Sequence, residues 1–124
     1  MKQIRIEAGS VAMTATLIES PTAAAVWEAT PFEANANVWG DEVYFTAPVS
    51  VEQEAAARAE VEIGEIAYWP PGSAFCIFFG ATPISTGEKP KAYSPVNVFG
   101  ATDGDATAFG DVTDGMVVRV SRVE

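Results

Sequence analysis

The sequence predicts a mainly β fold: a closed antiparallel β-barrel of about eight short strands with one or two short helices, in a single domain spanning residues 1–124. Three observations carry this. Short runs rich in Val, Ile, Phe, Tyr and Trp recur along the chain, Gly, Pro, Asn and Asp punctuate them, and the strand–helix–strand alternation of a parallel sheet is missing. Closure follows because many short strands otherwise leave unpaired edges.

Lys2 to Glu7 alternates polar and apolar residues with Ile4 and Ile6 on one face, and Val11 to Ile18 repeats the alternation after Gly9-Ser10, so the two form a hairpin. Ser20-Pro21-Thr22 offers an N-cap followed by proline at the first helical position, where its missing N–H is harmless. The Ala-rich stretch to Ala29 completes a short helix with Trp27 turned toward the core. Phe32 to Trp39 and Glu42 to Thr46 are rich in β-formers and flank Gly40-Asp41, which makes a second hairpin. Val51 to Glu60, VEQEAAARAE, has helical propensity but is short, and it fits equally an extended connection that ends in a strand at Ala59 to Ile63. Glu65 to Trp69 and Ala74 to Phe79 are strands on either side of Pro70-Pro71-Gly72-Ser73, a turn because proline cannot donate to a ladder. The second of these is apolar on both faces and belongs in the centre of the sheet. Thr82 to Pro95 holds three prolines and a glycine and reads as an ordered surface loop. Val96 to Phe99 and Met116 to Val123 supply the last strands, with a brief helix or turn within Gly104 to Gly110 and a reversal at Asp114-Gly115.

The composition, 48% hydrophobic and 19% charged over 124 residues, suits one continuous core. The net charge of −10 repels phosphate backbones and anionic membrane surfaces, so neither nucleic acid nor membrane is an expected partner. The acids are scattered, which is the ordinary mark of a soluble surface. The lone Cys76 excludes an intramolecular disulfide and, within AFCIFF, behaves as a small buried hydrophobe. The absence of histidine removes the commonest metal ligand and the usual base near neutral pH, and with them Ser–His–Asp and Cys–His nucleophile systems. GATPISTG lacks the spacing of a phosphate loop, and Asp103, Asp105, Asp111 and Asp114 lack that of an EF-hand. No metal and no cofactor are expected. No window approaches the roughly 18 to 20 apolar residues of a membrane span, and a cytoplasmic protein is the expectation.

Within Gly64 to Gly100, the pieces GSAFCIFFGATP and PVNVFG resemble the GSQFFI and TVFG signatures of cyclophilins, and the chain is similar to the small bacterial and archaeal cyclophilin-like proteins. The resemblance implies a cyclophilin-like barrel with a helix after the second strand, an order of parts the strand pattern shares. Prolyl isomerisation crosses a barrier of about 18–20 kcal/mol, and its catalysis needs an apolar pocket and a donor, in cyclophilins an arginine, that favours the rotated amide. Cyclophilins carry that arginine in an FHR-type strand before a GGD turn. The counterpart here, PFEANANVWGD, has none, and no arginine lies between Arg5 and Arg58. Val96 stands near the place of the family's histidine, and the glutamine near the GGD strand has no replacement. Gly72, Ser73, Phe75 and Ile77 match the GSQFFI motif, whereas Ala74 replaces its glutamine and Cys76 its second phenylalanine. Arg58, Lys89, Lys91, Arg119 and Arg122 are the cations available as substitute donors if folding brings one of them in.

The aromatic set Trp39, Tyr44, Tyr68, Trp69, Phe75, Phe79, Tyr93 and Phe99 is generous for this length, and amphipathic rings beside a few polar groups make up many concave ligand sites. The candidate ligand-binding residues are Trp39 and Trp69 at strand ends, Tyr44, Tyr68, Phe75 and Phe79 within strands, and Ser85 and Asn97 as hydrogen-bonding partners. Alternation puts Phe75, Ile77 and Phe79 on one face and Ala74, Cys76 and Phe78 on the other, and leaves open which face lines the groove. The leading reading is a non-isomerase binding protein that takes a small apolar or proline-containing ligand, a small molecule or a peptide. The alternatives are a divergent peptidyl-prolyl isomerase and a structural subunit that docks a partner protein. A homodimer is compatible with a small barrel.

Overall fold

The computed structural model describes residues 2–124, arranged as one sheet of ten antiparallel strands with a single α-helix. β1 (Gln3–Ala8) and β2 (Val11–Leu17) form the expected hairpin, with Gly9 at φ 59° in the left-handed region its turn requires. α1 (Pro21–Ala29) starts where the sequence places it. Ser20 Oγ accepts from the Ala23 N–H at 3.1 Å, and Pro21 occupies the first turn. Val26 is the large side chain of α1 that is fully buried, while Trp27 is half-buried, with the guanidinium of Arg122 4.7 Å from its ring centroid.

Phe32 to Trp39, expected as one strand, is two. β3 (Phe32–Asn35) pairs with β10 (Val117–Arg122), and β4 (Asn37–Val38) pairs with β5 (Glu42–Thr46). The break is Ala36, whose N–H donates to the Met116 carbonyl while its own carbonyl accepts from the Gly115 N–H. The connection from Val49 to Ala57 is extended rather than helical and leads into β6 (Arg58–Glu60). β7 (Glu65–Trp69) and β8 (Ala74–Phe78) flank a 3₁₀ turn at Pro70–Gly72. β9 (Lys91–Thr102) is much longer than the expected Val96 to Phe99, so the preceding loop ends at Pro90. Pro95 is accommodated because the register slips there: Arg58 faces Val96 but Glu60 faces Lys91, which bulges Ala92 to Pro95 out of the ladder. A second 3₁₀ turn at Ala106–Asp111, capped by Asp105, precedes β10.

The strand order is β3-β10-β1-β2-β9-β7-β8-β5-β4, with β6 attached to β9. Ladder hydrogen bonds do not close this sheet into a barrel. Its two ends are nevertheless consecutive pieces of chain joined at Ala36, so covalent continuity brings them together. Inside lies the main core, where Phe75 stacks on Phe45 at 4.8 Å between centroids and meets Phe99 edge-on at 5.2 Å. A second, smaller apolar cluster lies on the other face of β7 and β8, where Ala67, Ala74, Cys76 and Phe78 are covered by Val61, Ala92 and Val96. No helix among the described residues is long and apolar enough to cross a membrane.

Candidate functional site

Strand alternation sends Ile66, Tyr68, Phe75 and Ile77 into the main core and turns Ala67, Trp69, Ala74 and Cys76 to the opposite face. On that face the β4–β5 hairpin sets two functional groups side by side. Trp39 donates its N–H to the Glu42 carbonyl at 2.9 Å and accepts from the Glu42 N–H at 3.2 Å across the Gly40-Asp41 turn. Residues opposed in this way project their side chains from the same face. Tyr44, two residues further along β5, lies opposite Cys76 of β8.

Trp69 ends β7 opposite Ala74 and is held on two sides. Its indole N–H donates to Ser94 Oγ at 2.6 Å, and its ring lies so close to Gly72 that a Cβ there would sit 2.8 Å from ring carbons. The β9 bulge places Tyr93 between the tryptophans, its centroid 6.3 Å from Trp39 at an interplanar angle of 69° and 6.0 Å from Trp69 at 90°. Tyr93 is 74% exposed, so its ring stands at the mouth. These groups, with Ala74, Ala92 and Val96 as apolar wall, enclose a cavity of about 250 Å³. Pockets for drug-sized ligands start at about 300 Å³, so this one suits a head group or a single side chain.

The buried acid of the site is Glu42, 5% exposed and paired with no lysine or arginine among the described residues. Burial pushes its pKa from 4.5 up to about 7, against a smaller downward pull from the Cys76 thiol. Burial, and then the Glu42 carboxylate, push the Cys76 thiol well up. At neutral pH the thiol is therefore protonated and a poor nucleophile, whereas Glu42 stands in mid-titration and can serve as a counter-ion or exchange a proton.

Of the residues singled out from the sequence, Trp39, Tyr44 and Trp69 come together at this cavity. Tyr68, Phe75 and Phe79 belong to the main core, because their strand positions face inward. The Tyr68 hydroxyl donates to the Val49 carbonyl at 2.8 Å. Asn97 is 1% exposed and ties the extended connection to the sheet, donating to the Glu52 carbonyl at 2.9 Å and to Thr22 Oγ1 at 3.1 Å and accepting from the Glu54 N–H at 2.8 Å. Ser85 Oγ accepts from the Thr82 N–H at 2.9 Å and so closes its own turn. Tyr93, from the wider aromatic set, and Cys76, from the face of β8 that turns outward, also line the cavity, and Glu42 joins them without having been singled out. A lone acid at the head of the apolar run EVYF, on the face of Tyr44, is a signal that pointed to Glu42.

The cations weighed as substitute donors lie elsewhere. Arg58 spans both carboxylate oxygens of Glu65 at 3.0 Å, Lys89 pairs with Glu62 at 2.9 Å, and Arg119 pairs with Glu33 at 3.3 Å. Arg122 donates to the Trp27 carbonyl at 3.0 Å, and Lys91 does not line the cavity.

The antiparallel sheet with a helix after its second strand agrees with the comparison of families: the chain belongs to the cyclophilin-like family, whose model matches residues 2–121. Among solved structures it is similar to that of the hypothetical protein AF2241 from Archaeoglobus fulgidus, determined in solution. The two are 40% identical and superpose with a TM-score of 0.83 over 98% of this chain and 95% of that one. No curated protein matches the chain.

Proposed function

We propose that this chain is a ligand-binding member of the cyclophilin-like family, one that takes a small apolar or proline-containing group in the cavity between Trp39, Tyr44 and Trp69 and does not catalyse prolyl isomerisation. The observation that carries the reading is an aromatic-walled concavity whose parts are braced by contacts within the protein, above all Trp69 between Gly72 and Ser94. Preorganised walls reduce the ordering cost of binding. The isomerase half rests on the absence of any lysine or arginine from the lining, since the reaction calls for a donor to the rotated amide.

The test has two arms. In a protease-coupled assay on a standard prolyl peptide, the rate is expected to equal that of the uncatalysed blank, with an authentic cyclophilin as positive control; clear acceleration refutes the non-catalytic reading. A fragment screen by nuclear magnetic resonance on the ¹⁵N-labelled chain is expected to give saturable shifts at the indole N–H signals of Trp39 and Trp69. A screen without any saturable binder overturns the binding reading.

A further inference from the structure

Resting on the reading that this cavity is a ligand site, we infer that its occupant is an organic cation, an alkylated ammonium head group seated between Trp39, Trp69 and Tyr93 with the Glu42 carboxylate as counter-ion. Three independent features of the cavity converge on that chemistry.

The first is the arrangement of the rings. Trp39 and Trp69 each meet Tyr93 at a steep angle, 69° and 90°, so the three rings form walls around a shared space instead of a stack. A cation within about 6 Å of a ring centroid is attracted by the negative face of the π-system, most strongly by tryptophan, and rings set around one volume are the recurrent solution for quaternary ammonium ligands. The second is the isolated acid. A carboxyl that is 5% exposed is costly to ionise unless a positive partner is supplied, and the protein supplies none at this site: no lysine or arginine lines it. The partner then has to arrive with the ligand. The third is the wall. Ala74, Ala92 and Val96 offer no hydrogen bonds to a bare ammonium or guanidinium, whereas an alkylated nitrogen presents methyl groups that match them. A metal ion fits poorly, because no group of three or more ligating side chains exists among the described residues. The overall charge of −10 favours the approach of a cation.

The same site sets the pH dependence. The titratable side chains that share the cavity with Glu42 are Cys76 from β8, Tyr44 from β5 itself and Tyr93 from β9. With the thiol held protonated, the group that changes charge near neutrality is Glu42, so cation binding strengthens as pH rises through about 7.

The experiment is a titration of the full ¹⁵N-labelled chain at pH 6 and pH 8 with choline and with 3,3-dimethyl-1-butanol, the uncharged isostere in which carbon replaces the quaternary nitrogen. Saturable shifts at the Trp39 and Trp69 indole signals are expected, with choline favoured by about tenfold or more at pH 8 and by less at pH 6. Glu42→Gln is expected to weaken that preference and abolish its pH dependence while the isostere still binds. Equal affinity for choline and the isostere leaves the apolar-ligand reading standing and overturns the cation inference; saturation by neither overturns both. Should Glu42→Gln fail to fold, Tyr93→Ala serves instead, and an unchanged choline preference in it overturns the cage. Trimethyllysine, free and within a short peptide, separates the sources: tighter binding of the peptide assigns the head group to a modified protein chain, and equal binding assigns it to a small molecule, each in support of a cation site.

Discussion

The two faces of β8 come from one five-residue run, AFCIF, and do opposite things. On the inner face, Phe75 stacks on Phe45 and meets Phe99 edge-on, with Ile77 buried in the same core. On the other, Ala74 and Cys76 are small, and beside them space remains between Trp39, Trp69 and Tyr93. Side-chain volume at alternate positions thus decides which side of a strand is core and which is site. A fully packed face contributes stability, while an underfilled face with a buried acid gives some of it up.

The sharpest way to break this comparison is to remove the keystone of the packed face. Phe75→Ala deletes a ring that is 0% exposed, and a loss of about 3–5 kcal/mol is expected in urea unfolding. A loss under about 1 kcal/mol would mean the inner face collapses readily and is not the tighter of the two.

The next largest effect comes from the acid of the underfilled face. The folded-state pKa of Glu42 is raised, so between about pH 4.5 and pH 7 the unfolded chain has released its proton while the folded chain retains it, and stability falls as pH rises through that window. A rise from 4.5 to about 7 corresponds to about 3 kcal/mol. Relative to Glu42→Gln, the natural protein is therefore expected to lose about that much between pH 4 and pH 8 in parallel urea titrations. Parallel pH profiles for the two proteins would remove the charge cost from the cavity.

A smaller effect is expected from the polar tie that lies beside both faces. Asn97→Ala removes three hydrogen bonds between β9, the helix start and the connection from Val49 to Ala57. The expected cost is about 2 kcal/mol, with faster amide exchange at Glu54, whose N–H donates to Asn97. Exchange that speeds up uniformly over the chain would show instead that this connection unfolds only with the whole sheet.

The smallest effect on stability belongs to the mouth of the cavity. Tyr93→Ala is expected to change unfolding free energy by no more than about 0.5 kcal/mol, because the ring is 74% exposed, while altering the fluorescence of Trp39 and Trp69 that it contacts. A large destabilisation would make Tyr93 part of the packing and not a wall of the site.

Much of the fold was legible from local signals. The Gly9 and Gly40 turns, the Ser20-Pro21 helix start and the strands on either side of Pro70-Pro71 all stand where residue chemistry places them. The departures have a common cause. Ala36 divides an apparent single strand because β10 claims one half and β5 the other, and β9 runs through Pro95 because β6 tolerates a bulge there. β5 is the hairpin neighbour of β4, but β10 and β6 lie far in sequence from the segments they reshape. At the site, Trp39 and Trp69 were recognisable as strand-end rings, whereas nothing local sets Tyr93 apart from the other rings of the aromatic set.

The sequence by itself determined the period-two alternation of β8, the places where the chain turns, the capped helix and the lack of an arginine before the Gly40-Asp41 turn, since each depends on residues adjacent in the chain. Only the tertiary structure decided which face of β8 is filled, how the ends of the sheet meet at Ala36, and that Glu42 is buried within a ring of aromatics. Those outcomes depend on what lies across the fold: the volume of side chains on distant strands and the supply of positive charge at one point in space, neither of which a local pattern encodes.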